Sequence, residues 1–194
     1  MSLQERIYSV LVVSSAEKFN NALPDVLPET RYQPVRLVSS VSSGRRAWSE
    51  RSYDMLIINS PLPDDAGVRF AIDTASSSDT AVMLLLRSEV YDEVTERVSE
   101  HGIFTLSKPF TRSNLSLSLR WMEAMRERLR RLEKKAVSFE EKMEEIKLVN
   151  RAKWILIDEL KMDEPQAHRY IEKQAMDRCI QKRDVAMEII RTYS

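Results

Sequence analysis

From Leu115 to Asn150 the chain repeats a spacing of three and four residues: Leu115, Ser118, Met122, Met125, Leu129, Leu132, Ala136, Phe139, Met143, Ile146, Asn150. Most of these side chains are apolar, and neither Gly nor Pro occurs between Pro109 and Pro165. This pattern predicts one uninterrupted helix with a heptad seam. A helix of 36 residues extends roughly 54 Å, too far for a small domain to cover. The economical solution is a coiled coil between two chains, with Met122, Met125, Leu129, Leu132, Phe139, Met143 and Ile146 as its seam. Ser118 and Asn150 weaken the ends, and Asn150 helps to set register. The competing solution is a hairpin in which the last segment folds back on the helix. Arg126, Arg128, Arg130, Arg131, Lys134 and Lys135, from "RERLRRLEKK", mostly fall outside the seam and predict a solvated flank.

Composition removes several function classes. Lys and Arg number 30 against 30 Asp and Glu, so the molecule as a whole is no polyelectrolyte. Three glycines leave no material for a Gly-rich phosphate loop. Cys179 is the only cysteine and the two histidines, His101 and His168, are far apart, so neither an internal disulfide nor a zinc site is expected. A lone cysteine suits a reducing cytoplasm, and no run of about 18 apolar residues predicts a membrane span.

Before the long helix, short apolar runs alternate with helical patterns. "YSVLVV", "DMLII" and "AVMLLL" read as strands buried on both faces, "YQPVRLVS" as a weaker edge strand carrying Pro34, and "IFTL" as the last. Helices are expected between them, the first ending before Pro24. Five strands alternating with helices imply a doubly wound parallel sheet, with any site at the carboxyl ends of the strands. After the long helix, which should end near Met162, Asp163 is an N-cap with Gln166 at the capping-box position. A last helix is expected over about Lys182 to Thr192. These segments predict a small three-helix bundle with Trp154, Leu156 and Tyr170 as its larger core residues; Ala167, Ala175, Met176 and Ala186 also read as core. The fold class is thus α/β plus all-α. The expected domains are residues 1–114, a coiled-coil linker over 115–140, and the helical bundle over 141–194.

"YDMLIINSPLPDDAG" and "LSKPF" resemble the third-strand loop and the Lys-Pro-Phe motif of receiver domains in two-component response regulators. In that family an aspartate at the end of the third strand takes the phosphoryl group. An acidic pair after the first strand helps to hold Mg²⁺, and a hydroxyl residue and the motif lysine contact the phosphate. Here Asn59 stands at the acceptor position, and an amide is no nucleophile. Ser14 and Ser15 replace the acidic pair, a poor donor set for Mg²⁺. Leu86 or Arg87 aligns with the hydroxyl position, with Ser88 usable only after a shift. Lys108 remains, able to donate to the Asn59 carbonyl, to pair with Asp54, Asp64 or Asp65, or simply to support the loop. The resemblance therefore implies a pseudo-receiver that has lost phosphorylation, with no catalytic residue, metal or cofactor.

"RAKWILI", "DEPQAHRYI", "QAMD" and "VAMEII" resemble, in order and spacing, the ANTAR domain of transcription antitermination regulators. That family implies binding of paired stem-loops in a nascent transcript by a dimer. Phosphate contacts would then come from Arg151, Lys153, His168, Arg169, Lys173, Arg178, Lys182 and Arg183; for the "RERLRRLEKK" cations an auxiliary RNA contact is only the alternative to a solvated flank. Charge alone argues otherwise: residues 140–194 carry twelve acidic against eleven basic side chains, where nucleic-acid binders show a basic excess. The rival expectation is a signalling adaptor, whose pseudo-receiver binds a partner protein and whose tail serves only in assembly.

Overall fold

The computed structural model describes residues 6–193. Five strands, β1 (Tyr8–Val13), β2 (Tyr32–Val38), β3 (Met55–Asn59), β4 (Ala81–Arg87) and β5 (Phe104–Lys108), form one sheet in the order β2-β1-β3-β4-β5. Every pairing is parallel. The expected doubly wound sheet is thus present, and Pro34 lies on an edge strand as its missing N–H requires.

The connecting helices divide between the two faces. α2 (Val41–Glu50), α3 (Val68–Ser77) and α4 (Ser88–Ser99) cover Leu11, Val13, Leu56, Ile58, Leu84 and Leu86. α1 (Glu17–Val26) and the start of α5 (Arg112–Leu160) cover Val10, Val12, Met55, Ile57, Met83 and Leu85. Alternate residues of each central strand enter opposite cores, which is why β1, β3 and β4 read as unbroken apolar runs. Gly67 caps α3 at φ +78°, and a Cβ there would meet Ile58 Cγ2 at 2.6 Å. No other residue fits that turn.

Helix α1 runs past Pro24 to Val26 instead of stopping before it. Proline costs one backbone bond, but Leu27 N–H still reaches the Leu23 carbonyl and both leucines are buried, so the last turn is held by packing.

The chain divides after Arg131. The early turns of α5 belong to the sheet unit: Leu115 and Leu119 are buried, and Met122, expected on the coiled-coil seam, is fully enclosed in the core beneath the sheet. Met125 is half-buried in the same unit. The heptad spacing was met there by an intrachain contact, because the last helix of a doubly wound domain also buries one stripe.

In the second unit the end of α5 packs with α6 (Glu164–Asp177) and α7 (Lys182–Tyr193). Their core is Ala152, Leu156, Ala167, Ile171, Ala175, Val185, Ala186 and Ile189. Four alanines let the helices approach closely. The Asp163–Gln166 capping box is present and starts α6. Trp154, Tyr170 and Met176 are corrections: they are 66%, 38% and 77% exposed. The alanine-lined core is too narrow to admit them. No helix among the described residues is long and apolar enough to cross a membrane.

Candidate functional site

The carboxyl ends of β1, β3, β4 and β5 bring together Ser14, Asn59, Arg87 and Lys108. Asn59 and Ser14 are buried, and the Asn59 Nδ2 donates to Ser14 Oγ at 3.0 Å. Asn59 Oδ1 is buried without a partner. Ser14 Oγ also accepts from Ala16 N–H at 3.3 Å, while Ser15 is exposed. One hydroxyl and an amide thus occupy the cleft floor, where a hard divalent cation favours carboxylates.

Lys108 reaches across the cleft and donates to the Ser60 backbone carbonyl. Burial, and then the nearby Arg87 charge, push its ammonium below the ordinary lysine range. Its proposed acidic partners are all engaged elsewhere. Asp64 accepts from Val41 N–H and Ser42 N–H, both at 2.9 Å, and those amides hold its carboxyl at about 2. Asp65 accepts from Gly67 N–H at 2.6 Å. Asp54 precedes β3 and so lies at the opposite end of the sheet. Ser88, at the start of α4, donates to the Lys108 carbonyl, tying the β4 and β5 ends together.

At that opposite end, Asp54 is the centre of a polar clamp on α5. It accepts from Arg126 Nε at 3.0 Å, from Arg130 Nη2 at 2.8 Å, and from Ser9 N–H and Oγ at 3.0 Å. Burial pushes its carboxyl up, but the Ser9 hydrogen bonds and the Arg126 guanidinium outweigh this and leave it below the ordinary value. One turn earlier on α5, buried Glu123 receives Arg31 at 2.6 Å and the Tyr32 hydroxyl. Arg126 and Arg130 are therefore not a solvated flank. The signal in the sequence was the spacing of residues 123, 126, 127 and 130, which share one helical face next to an acid–base set on the amino ends of the strands.

In the second unit the eight cations expected at a phosphate surface fall into two groups. Lys153 pairs with Glu164 at 2.7 Å, Arg178 with Glu188 at 2.6 and 2.8 Å, and His168 and Lys182 both with Glu172. Arg151, Arg169, Lys173 and Arg183 are exposed and have no acidic partner among the described residues. Arg169 and Lys173 stand one turn apart on α6, with Met176 on the same outer face.

Residues 138–190 match the ANTAR domain family. Over 187 residues the chain is 27% identical to the transcriptional regulatory protein PdtaR of Mycobacterium tuberculosis, covering 94% of this chain and 89% of the relative. The receiver domain of an HD-domain-containing protein from Pseudomonas fluorescens superposes with a TM-score of 0.57 at 20% identity, covering 68% of this chain and 96% of that one. A response regulator receiver domain protein from Clostridium thermocellum gives 0.55 at 21% identity, covering 65% and 99%. The chain therefore joins a domain of receiver fold to a C-terminal region that matches the ANTAR domain family.

Proposed function

We propose that this chain is a transcription antitermination regulator that binds stem-loop RNA through its ANTAR domain as a coiled-coil dimer, under the control of a receiver domain that no longer takes phosphate. The match over residues 138–190 carries the reading. It is supported by four of the eight expected cations, which are exposed and have no acidic partner among the described residues, and by the exposed seam residues Leu132, Phe139, Met143 and Ile146. RNA loops are read by base contacts and stacking, with phosphate contacts adding affinity. Two modest contacts joined by one coiled coil then act at a high effective concentration.

Converting Arg169 and Lys173 together to Ala is expected to weaken RNA binding about tenfold and to lower its dependence on salt, as removal of phosphate contacts does. The check is a salt titration by fluorescence anisotropy. Arg178→Ala is different. Its guanidinium is spent on Glu188, so the expected loss is in thermal stability of the bundle rather than in the salt slope.

Loss of phosphorylation follows from the amide at position 59 and the carboxylate-free cleft floor. Incubation with acetyl phosphate and Mg²⁺ should leave the intact mass unchanged. A stable phosphoryl adduct would contradict this part of the reading.

The adaptor reading is favoured by one observation, the neutralisation of Lys153, His168, Arg178 and Lys182 by acidic neighbours. Protein partners that persist after nuclease treatment, with no RNA recovered, would support it.

A further inference from the structure

We infer that a pocket where α5 meets α6 and α7 takes one unpaired nucleotide of an RNA loop, with the base on Ile146 and Val149, its edge on Asn150, and the phosphate on Lys153 and Lys182. The inference rests on the RNA-binding reading above and adds where a loop base is held.

The pocket is a cavity of about 380 Å³ within the second unit. That is the lower range of small-ligand sites, with room for a single nucleotide and not for a duplex. One wall is α5, where residues 142, 145, 146, 149, 150 and 153 recur at helical spacing on one face. His168 of α6 and Lys182 of α7 form the other.

The lining has three chemical parts. Val149 is half-buried against the bundle core and Ile146 is 52% exposed, so together they give an apolar floor. Ile146 thus borders both the seam and the pocket. Asn150 is exposed, and its amide makes no hydrogen bond among the described residues. An amide carries two donors and an acceptor, which is what the edge of a base requires. At the mouth, Lys142, Lys153 and Lys182 bring three ammonium groups and His168 an imidazole, against one lining acid, Glu145.

The occupant follows from that combination. An apolar floor alone suits any hydrophobic side chain. Three ammonium groups around it do not, since covering them with an apolar partner costs solvation without supplying an acceptor. A nucleotide supplies both, a flat base for the floor and an anionic phosphate for the rim. The acidic neighbours do not exhaust the lysines. An ammonium has three N–H donors. Lys153 spends one on Glu164 at 2.7 Å, and Lys182 spends one on Glu172. The Lys153 side chain is 17% exposed, so its pair holds it still at the rim. These pairs aim the lysines at the pocket without removing them from RNA binding. Arg169 and Lys173 offer exposed charge to the backbone of any RNA. The pocket instead separates loop from duplex, because only an unpaired base can enter it.

The test uses the full chain and a paired stem-loop RNA in which each loop base is removed in turn, leaving its sugar and phosphate. Asn150→Ala should weaken binding of the intact RNA about tenfold. With the RNA lacking the one base the pocket holds, the same substitution should cost nothing further, because Asn150 then has no edge to read. Lys182→Ala should instead lower the salt slope by about one, with intact and base-deleted RNAs alike. A loss from Asn150→Ala that stays equal whichever base is removed overturns the inference; a protein ligand in the pocket, or a weakened dimer, would give that result. Full affinity in Asn150→Ala overturns it as well, and an unchanged salt slope overturns the phosphate contact. A parent that binds stem-loop and scrambled RNA equally sinks the RNA reading, and the nucleotide pocket with it.

Discussion

Asp54→Ala is expected to lower the stability of the receiver-fold unit by about 2–3 kcal/mol, somewhat less than the loss of one partner from a fully buried ion pair. The carboxylate accepts from Arg126, Arg130 and Ser9, and its removal leaves a guanidinium that is only 15% exposed without its counter-charge. Urea unfolding followed by circular dichroism checks the size. The pH dependence checks the cause. The Asp54 carboxyl lies below its ordinary value in the folded chain. Its contribution is therefore complete above the unfolded pKa, about 3.9, and is lost as pH falls through the lower folded value. The difference between parent and Asp54→Ala should stay constant from neutral pH down to about pH 5 and then shrink on further acidification.

The second large effect is expected at the seam. Phe139→Glu combined with Ile146→Glu places charges where the account needs two apolar side chains from each chain. A cost of about 3 kcal/mol or more raises the dimer dissociation constant at least about 100-fold. Both residues are more than half exposed, so neither is needed for the core of its own chain. Circular dichroism of the variant should therefore retain the α/β and helical signals, apart from the long helix if it frays without a partner. Affinity for a pair of stem-loops should fall by about 10²-fold or more, while affinity for a single stem-loop should change little, because only the linkage has been removed.

The sheet was legible because β1, β3 and β4 are buried on both faces and β2 carries a proline that only an edge strand tolerates. The capping box at Asp163 was legible because two side chains at fixed spacing satisfy the first amides of α6 whatever surrounds them. What sequence spacing did not separate was the two uses of the α5 stripe. Met122 is buried within its own chain and Phe139 is exposed, although they belong to one heptad pattern. Periodicity reports that a face is apolar, not which molecule covers it.

The Asn59–Ser14 contact was legible for a similar reason: both residues sit at strand ends whose positions the fold fixes, and they meet at 3.0 Å. The Lys108 partner was not legible, since three acids lie near Asn59 in sequence and the lysine took a backbone carbonyl instead. Asp54 is the clearest case. It is close to Asn59 along the chain, yet β3 separates the two to opposite ends of the sheet. The pairing of Lys153, His168, Arg178 and Lys182 with acids likewise depends on helix packing, which a count of charges does not contain.

The central claim is that the ANTAR unit binds paired stem-loops as a dimer. It is tested most directly by gel-shift titration of the full chain at near-physiological salt with three RNAs: a paired stem-loop, one stem-loop alone, and a scrambled sequence of equal length. The account predicts tight binding of the pair as a complex of two chains per RNA, weaker binding of the single stem-loop, and weaker still of the scrambled RNA. Equal affinity for the paired and scrambled RNAs would contradict it.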